Sequence, residues 1–164
     1  FLGQHGLIAK CIHHYEDLLR IPFLVRWPGH TPAGRTSGAL VNLVDLAPTF
    51  CTAVGLDAPG AMSGVNQLDV LQGGNAIRRG TIIENRHTHN RDFHLRSYVN
   101  QRYKITVYET RDEGELFDLI EDPEERRNLW QDPAAREIKE TLLWEFVQET
   151  QACEGEPMPR IACA

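Results

Sequence analysis

The sequence predicts an α/β fold whose C-terminal half is α+β: the last strand and helices of a larger α/β domain, then a small antiparallel sheet packed by a C-terminal helix. Three observations predict it. Ile21-Pro22-Phe23-Leu24-Val25-Arg26-Trp27 is a nearly continuous apolar run, the pattern of a strand covered on both faces. Leu95-Arg96-Ser97-Tyr98-Val99 and Tyr103-Lys104-Ile105-Thr106-Val107-Tyr108 alternate apolar with polar across Asn100-Gln101-Arg102, which reads as an antiparallel hairpin. After Asp132-Pro133, the side chains of Ile138, Leu142, Leu143 and Phe146 recur at helical spacing and form one apolar face that covers one side of that sheet.

The other elements follow in chain order. Ile12, Tyr15, Leu18 and Leu19 lie at a period of 3.6 that Pro22 ends, predicting a short helix over 12–20. The apolar run at 21–27 needs neighbours that the chain does not offer, so its partners are expected in other segments, upstream or in a second copy. Two prolines, two glycines, Thr31, Thr36 and Ser37 make 28–37 a surface loop. Asp45 is placed to cap a helix that tolerates Pro48 in its first turn, turns Phe50, Cys51 and Val54 inward and exits at Gly55. Thr81-Ile82-Ile83-Glu84 reads as a strand, Glu115-Leu116-Phe117-Asp118-Leu119 as a further short one, and the tail from Gly155 as irregular. The pattern changes near 75–90, so the expected division is 1–79, an incomplete segment of the large domain, and 80–164, the small subdomain.

Composition narrows the function classes. With 164 residues and 41% hydrophobic side chains the chain can bury a core. Lys and Arg total 17 against 23 for Asp and Glu, a formal charge of −6, so a general electrostatic grip on nucleic acid or anionic lipid is disfavoured. No apolar run approaches the roughly 20 residues of a membrane-spanning helix, and a soluble protein, cytoplasmic or periplasmic, is expected. Cys11, Cys51, Cys153 and Cys163 are widely spaced with no CxxC pair, which argues against a zinc knuckle; Cys153 and Cys163 either pair locally or stay as thiols. The opening at Phe1 has no signal-peptide pattern and reads as part of something longer.

Several motifs in shared order carry a resemblance. Leu2-Gly3-Gln4-His5-Gly6-Leu7-Ile8-Ala9-Lys10, Tyr15-Glu16-Asp17-Leu18-Leu19-Arg20-Ile21-Pro22-Phe23-Leu24-Val25 and Val44-Asp45-Leu46-Ala47-Pro48-Thr49 come first. Gly114-Glu115-Leu116-Phe117-Asp118-Leu119, Asp122-Pro123-Glu124-Glu125 and Asn128-Leu129 follow. Together they resemble the C-terminal third of the type I sulfatases of the alkaline phosphatase superfamily. The resemblance implies a parent enzyme with a formylglycine nucleophile, made from Cys or Ser in a Cys/Ser-x-Pro-x-Arg motif, and a calcium or magnesium ion. No Pro-x-Arg occurs here, so the fragment is expected to bind neither and to be inactive alone.

It also implies site residues. Lys10 matches the family lysine that contacts the sulfate group, where an ammonium offsets charge in the transition state. His5 follows the pattern of a residue lining the cleft, while Gln4 departs from the acidic residue usual there. Glu84-Asn85-Arg86-His87-Thr88-His89-Asn90-Arg91-Asp92-Phe93-His94 resembles the segment bordering the substrate cleft, so Arg86 and His87 are expected to read the organic part of a sulfated small molecule or carbohydrate. A zinc site from His87, His89 and His94 is disfavoured by their spacing, and adjacent His13 and His14 point to different sides of a helix. Glu16 and Arg20, four apart, are expected to pair. Two alternatives stand beside the sulfatase reading: a phosphonate monoester or phosphodiester hydrolase of the same superfamily, and a non-catalytic module that self-associates through its strand edges into a homo-oligomer.

Overall fold

A computed structural model describes residues 1–86 and 93–154. In chain order its elements are α1 (Glu16–Leu19), α2 (Leu46–Ala53), α3 (Leu68–Leu71), β1 (Gly80–Arg86), β2 (His94–Asn100), β3 (Tyr103–Tyr108), β4 (Gly114–Asp118) and α4 (Arg136–Cys153). Contacts group them into two compact units, one holding Phe1–Leu24 with Arg79–Glu149, the other built on Val25–Arg78.

In the first unit the four strands form an antiparallel meander in the order β1-β2-β3-β4. Register places Tyr98 opposite Ile105 and Ile105 opposite Leu116, so these side chains share one face. Helix α4 covers that face with Leu142 and Phe146, joined by partly buried Ile138 and Leu143. Its start is set as the sequence predicts: the Asp132 carboxylate accepts from the Ala134 N–H at 2.9 Å, and Pro133 occupies the first turn. Gly80 is required where the chain enters β1, because a Cβ there would lie 2.2 Å from the Tyr98 ring.

The opposite face is the departure from a sheet packed on one side. Ser97, Lys104 and Thr106, the polar members of the alternating strands, are buried as deeply as Ile105. Residues 12–19 cover them, and the interactions are polar. His14 Nδ1 lies 2.8 Å from the Ser97 hydroxyl, which lies 2.7 Å from that of Thr106. The Lys104 ammonium pairs with buried Glu125 and sits 3.4 Å from Glu16. A second oxygen of Glu125 accepts the Glu16 N–H at 2.6 Å, so one carboxylate ties α1 to both sheet and turn. The predicted helix over 12–20 is thereby shortened to the single turn of α1, because Tyr15 is extended and His14 is held on the sheet by Ser97. Arg20 is mostly exposed, and its predicted pairing with Glu16 is loose at 3.9 Å.

His14 makes acid stability testable. Burial, then the Lys104 ammonium and His13, push its imidazole down from 6.5 to about 4. The unfolded side chain takes a proton near 6.5 and the folded one only near 4. Its contribution is therefore intact above 6.5 and is lost as pH falls toward 4. Urea unfolding at pH 7 and pH 4 should show a loss on the order of 3 kcal/mol from this group. A His14→Gln variant should lack that increment, and an unchanged acid loss in the variant would contradict the assignment.

The second unit is organised by Asp45, which is fully buried. Its carboxylate does serve the helix start, one turn ahead of α2: in a capping box it accepts from the Asn42 N–H at 2.8 Å. It also accepts from the Val65 N–H at 2.9 Å and pairs with Arg78 at 2.7 Å, so the buried charge is satisfied by three stretches at once. The run 21–27 forms no strand and pairs with no described segment. Its apolar side chains are correspondingly open, Leu24 at 88%. No described helix is long and apolar enough to cross a membrane.

Candidate functional site

Residues 1–9 close into a tight loop through an antiparallel bridge between Leu2 and Ile8. The Phe1 nitrogen donates to Ala9 O at 2.9 Å, and the Ala9 N–H donates back to Phe1 O at 3.0 Å. The backbone enters the left-handed region at Gly3, His5, Gly6 and Ala9. Glycine adopts it freely, whereas His5 and Ala9 are held there at a cost of about 1 kcal/mol each. Gln4 Oε1 accepts the Leu2 N–H at 2.6 Å, so an amide oxygen serves as an acceptor where the resembling motif has an acidic side chain.

This loop carries two of the predicted site residues. The His5 ring stacks flat on Tyr15, with centroids 3.7 Å apart and planes 5° off parallel, and meets the Phe1 ring edge-on at 6.3 Å. Its Nε2 is 3.9 Å from the Asp17 carboxylate, and only 13% of the side chain is exposed. Lys10, directly after the loop closes, is exposed. In the sequence Tyr15 belongs to an apolar stripe and opens the second of the resembling motifs, with no site role. It is the residue on which His5 rests, and burial, with help from Glu115 and Glu125, pushes its phenol up to about 12, so it stays protonated. An aromatic residue ten positions after the loop histidine was the available signal.

Arg86 lies at the end of β1, a different place in the same unit. Its guanidinium is 66% exposed, 3.4 Å from His94 Nδ1 and 3.7 Å from Glu109. His94 Nε2 is in turn 2.7 Å from Glu84, which Arg96 reaches at 2.9 Å. Burial raises the Glu84 carboxyl, but the hydrogen bonds from His94 and Arg96 outweigh it and hold the group below the usual range. Glu109 and Glu84 were not singled out in the sequence, because their pairing with His94 depends on strand register. His87 lies outside the described residues, as does His89 of the disfavoured zinc trio, and so does Cys163.

The structure thus sets His5 within the 1–9 loop, Lys10 directly after it, and Arg86 in an ion network of its own. An exposed ammonium can offset charge on an anionic ester. A guanidinium shared with one carboxylate keeps donors for a polar substituent. Among the described residues no three His, Cys, Asp or Glu side chains converge as ligands for a metal ion.

Comparison with known proteins adds four findings. The family described as N-sulphoglucosamine sulphohydrolase, C-terminal, matches residues 3–152. An N-acetylglucosamine-6-O-sulfatase of Bacteroides thetaiotaomicron is 31% identical over 161 residues, covering 92% of this chain and 28% of the relative. A solved structure described as a complex with its substrate D-glucosamine-2-N,6-O-disulfate superposes with a TM-score of 0.85 at 26% identity, covering 93% of this chain and 32% of that one. A phosphonate monoester hydrolase of Agrobacterium radiobacter shares the fold, with a TM-score of 0.67 at 22% identity over 77% of this chain and 28% of that one. The chain spans about a third or less of each of these proteins.

Proposed function

The chain belongs to the sulfatase family, as a C-terminal domain of the N-sulphoglucosamine sulphohydrolase type with an alkaline-phosphatase-like fold, and from that premise we propose that it forms the downstream shell of an enzyme hydrolysing sulfate esters of a carbohydrate. Residues 1–79 then belong to the large α/β domain and 80–164 to the small subdomain. The observation that carries the reading is the loop at 1–9, in which left-handed backbone and a cross-loop bridge fix His5 and lead directly into Lys10, an exposed cation.

Lys10 places a positive charge near the sulfuryl oxygens, where negative charge grows as the ester bond breaks. His5, fixed against Tyr15, forms a wall of the cleft, and Arg86 and His87 read the sugar. The formylglycine nucleophile and the calcium or magnesium ion of such an enzyme supply attack and charge neutralisation from outside this chain. Alone, the chain should release no sulfate.

The test is turnover by the whole enzyme that carries this chain, offered N-acetylglucosamine-6-O-sulfate, an aryl sulfate and an aryl phosphonate monoester. Sulfate release is expected to exceed phosphonate hydrolysis in kcat/KM by at least about tenfold, a difference of about 1.4 kcal/mol in the barrier. Preference for the phosphonate would overturn the reading in favour of the phosphonate hydrolases that share the fold. Sulfate release by the 164-residue chain alone would overturn the division of labour.

A further inference from the structure

A cleft of about 320 Å³ opens beside His13, lined by Phe93, Tyr108, Arg111, Glu113 and Glu115. Its frame is fixed. Asn128 spends its side chain on backbone, accepting from the Leu116 and Trp130 N–H groups and donating to Gly114 O. Trp130 Nε1 donates to Asp112 O at 3.3 Å, which pins the turn between β3 and β4. A Cβ at Gly114 would lie 2.7 Å from Thr106 O and from the Trp130 ring, so the chain there has no room to shift.

The walls are aromatic and the openings polar. Phe93 stands edge-on to His13 at 5.6 Å and to Tyr108 at 5.5 Å, and the Arg111 guanidinium lies 5.2 Å over its ring. Burial, together with the neighbouring Glu115 carboxylate, pushes the Tyr15 and Tyr108 phenols up, so both stay protonated. A carboxylate has about four acceptor positions, so Glu115 retains capacity for donors entering the cleft. His13 adds its ring to the cleft wall.

Ring faces beside carboxylates and a guanidinium suit a sugar, whose C–H face stacks while its hydroxyls donate and accept. Charge selects among sugars. Among the described residues the lining holds one cation, Arg111, against two carboxylates, Glu113 and Glu115, which disfavours a sulfated or uronic unit. The location also matters: His13 is 5.9 Å from Tyr15, the ring on which His5 rests, so the cleft and the His5 loop share a wall.

We propose that this cleft binds an uncharged sugar ring of a glycan, next to the unit whose sulfate is removed, which makes the substrate an oligosaccharide. The proposal rests on the sulfatase reading for its catalytic readout. The test compares the whole enzyme with its Arg111→Ala, Glu113→Gln and Phe93→Ala variants on di-N-acetylchitobiose carrying one 6-O-sulfate and on N-acetylglucosamine-6-O-sulfate. The ratio of kcat/KM for the disaccharide over the monosaccharide should fall about tenfold in Arg111→Ala and Phe93→Ala, mostly through KM. Glu113 is mostly exposed, so Glu113→Gln is the variant least liable to disturb folding, and its ratio should fall about threefold. An unchanged ratio in all three would overturn the proposal.

Calorimetry with unsulfated chitotetraose separates the two readings. If the enzyme releases no sulfate from either compound, the sulfatase reading fails by itself. The cleft proposal then stands if chitotetraose binding is weakened about tenfold in Arg111→Ala, and falls if the variant binds equally, if nothing binds, or if tetragalacturonate binds more tightly than chitotetraose.

Discussion

Replacing Glu125 with alanine should destabilise the protein by about 3–5 kcal/mol in urea unfolding, the largest effect expected of any single change on this sheet. Lys104 is fully buried and Glu125 nearly so, and removing the carboxylate strands the ammonium with only the more distant Glu16, at 3.4 Å. It also frees the Glu16 N–H that Glu125 accepts at 2.6 Å, loosening α1 from the sheet. Pairing the change with Lys104→Met should recover most of the loss, because a buried apolar pair is often as stable as a buried ion pair. Arg20→Ala, at a mostly exposed side chain 3.9 Å from its partner, is the control and should change little. A Glu125→Ala variant as stable as its parent would show that the polar face does not hold residues 12–19 in place.

Replacing Lys10 with alanine should lower kcat of the whole enzyme about 10²- to 10³-fold, the scale of losing one positioned charge-stabilising group, or about 3–4 kcal/mol of the barrier. Stability should not move, since Lys10 is exposed. That separation distinguishes a group acting on the substrate from one holding the fold. Lys10→Arg should recover part of the rate, because the charge remains while its shape and reach change. A loss confined to KM would place Lys10 in ground-state binding alone.

Strand alternation and helical spacing were enough to read β2, β3, β4 and α4, because each of those patterns is local. The buried polar face was not legible in the same way. Alternation reports only that Ser97, Lys104 and Thr106 share a side, and whether that side meets water depends on residues 12–19, some 80 positions away. Nothing in the spacing of His14, Glu16 and Glu125 announces that they meet there, since each is an ordinary surface residue by type. Asp45 shows the same limit: its position before α2 predicts a cap, but its burial and its partners Val65 and Arg78 come from distant turns. The run at 21–27 has the composition of a strand and remains without a ladder among the described residues, since pairing is a property of two segments.

The site divides similarly. The motif at 2–10 pointed to His5 and Lys10 only through the resemblance; the left-handed backbone at Gly3 and Gly6 that shapes the loop is seen in the structure. The stacking of His5 on Tyr15 and the link of Arg86 to Glu109 were not legible, since both require a register between segments. The cleft beside His13 also depends on register: Phe93, Tyr108 and Arg111 come together only because β2 pairs antiparallel with β3.

The most direct measurement is a crystal structure of the whole enzyme carrying an unreactive sulfate ester analogue. The account predicts the Lys10 ammonium within hydrogen-bond reach, about 2.7–3.2 Å, of a sulfate oxygen, with the loop at 1–9 facing the same cavity. A Lys10 side chain turned to solvent while the sulfate is held entirely by other groups would contradict it.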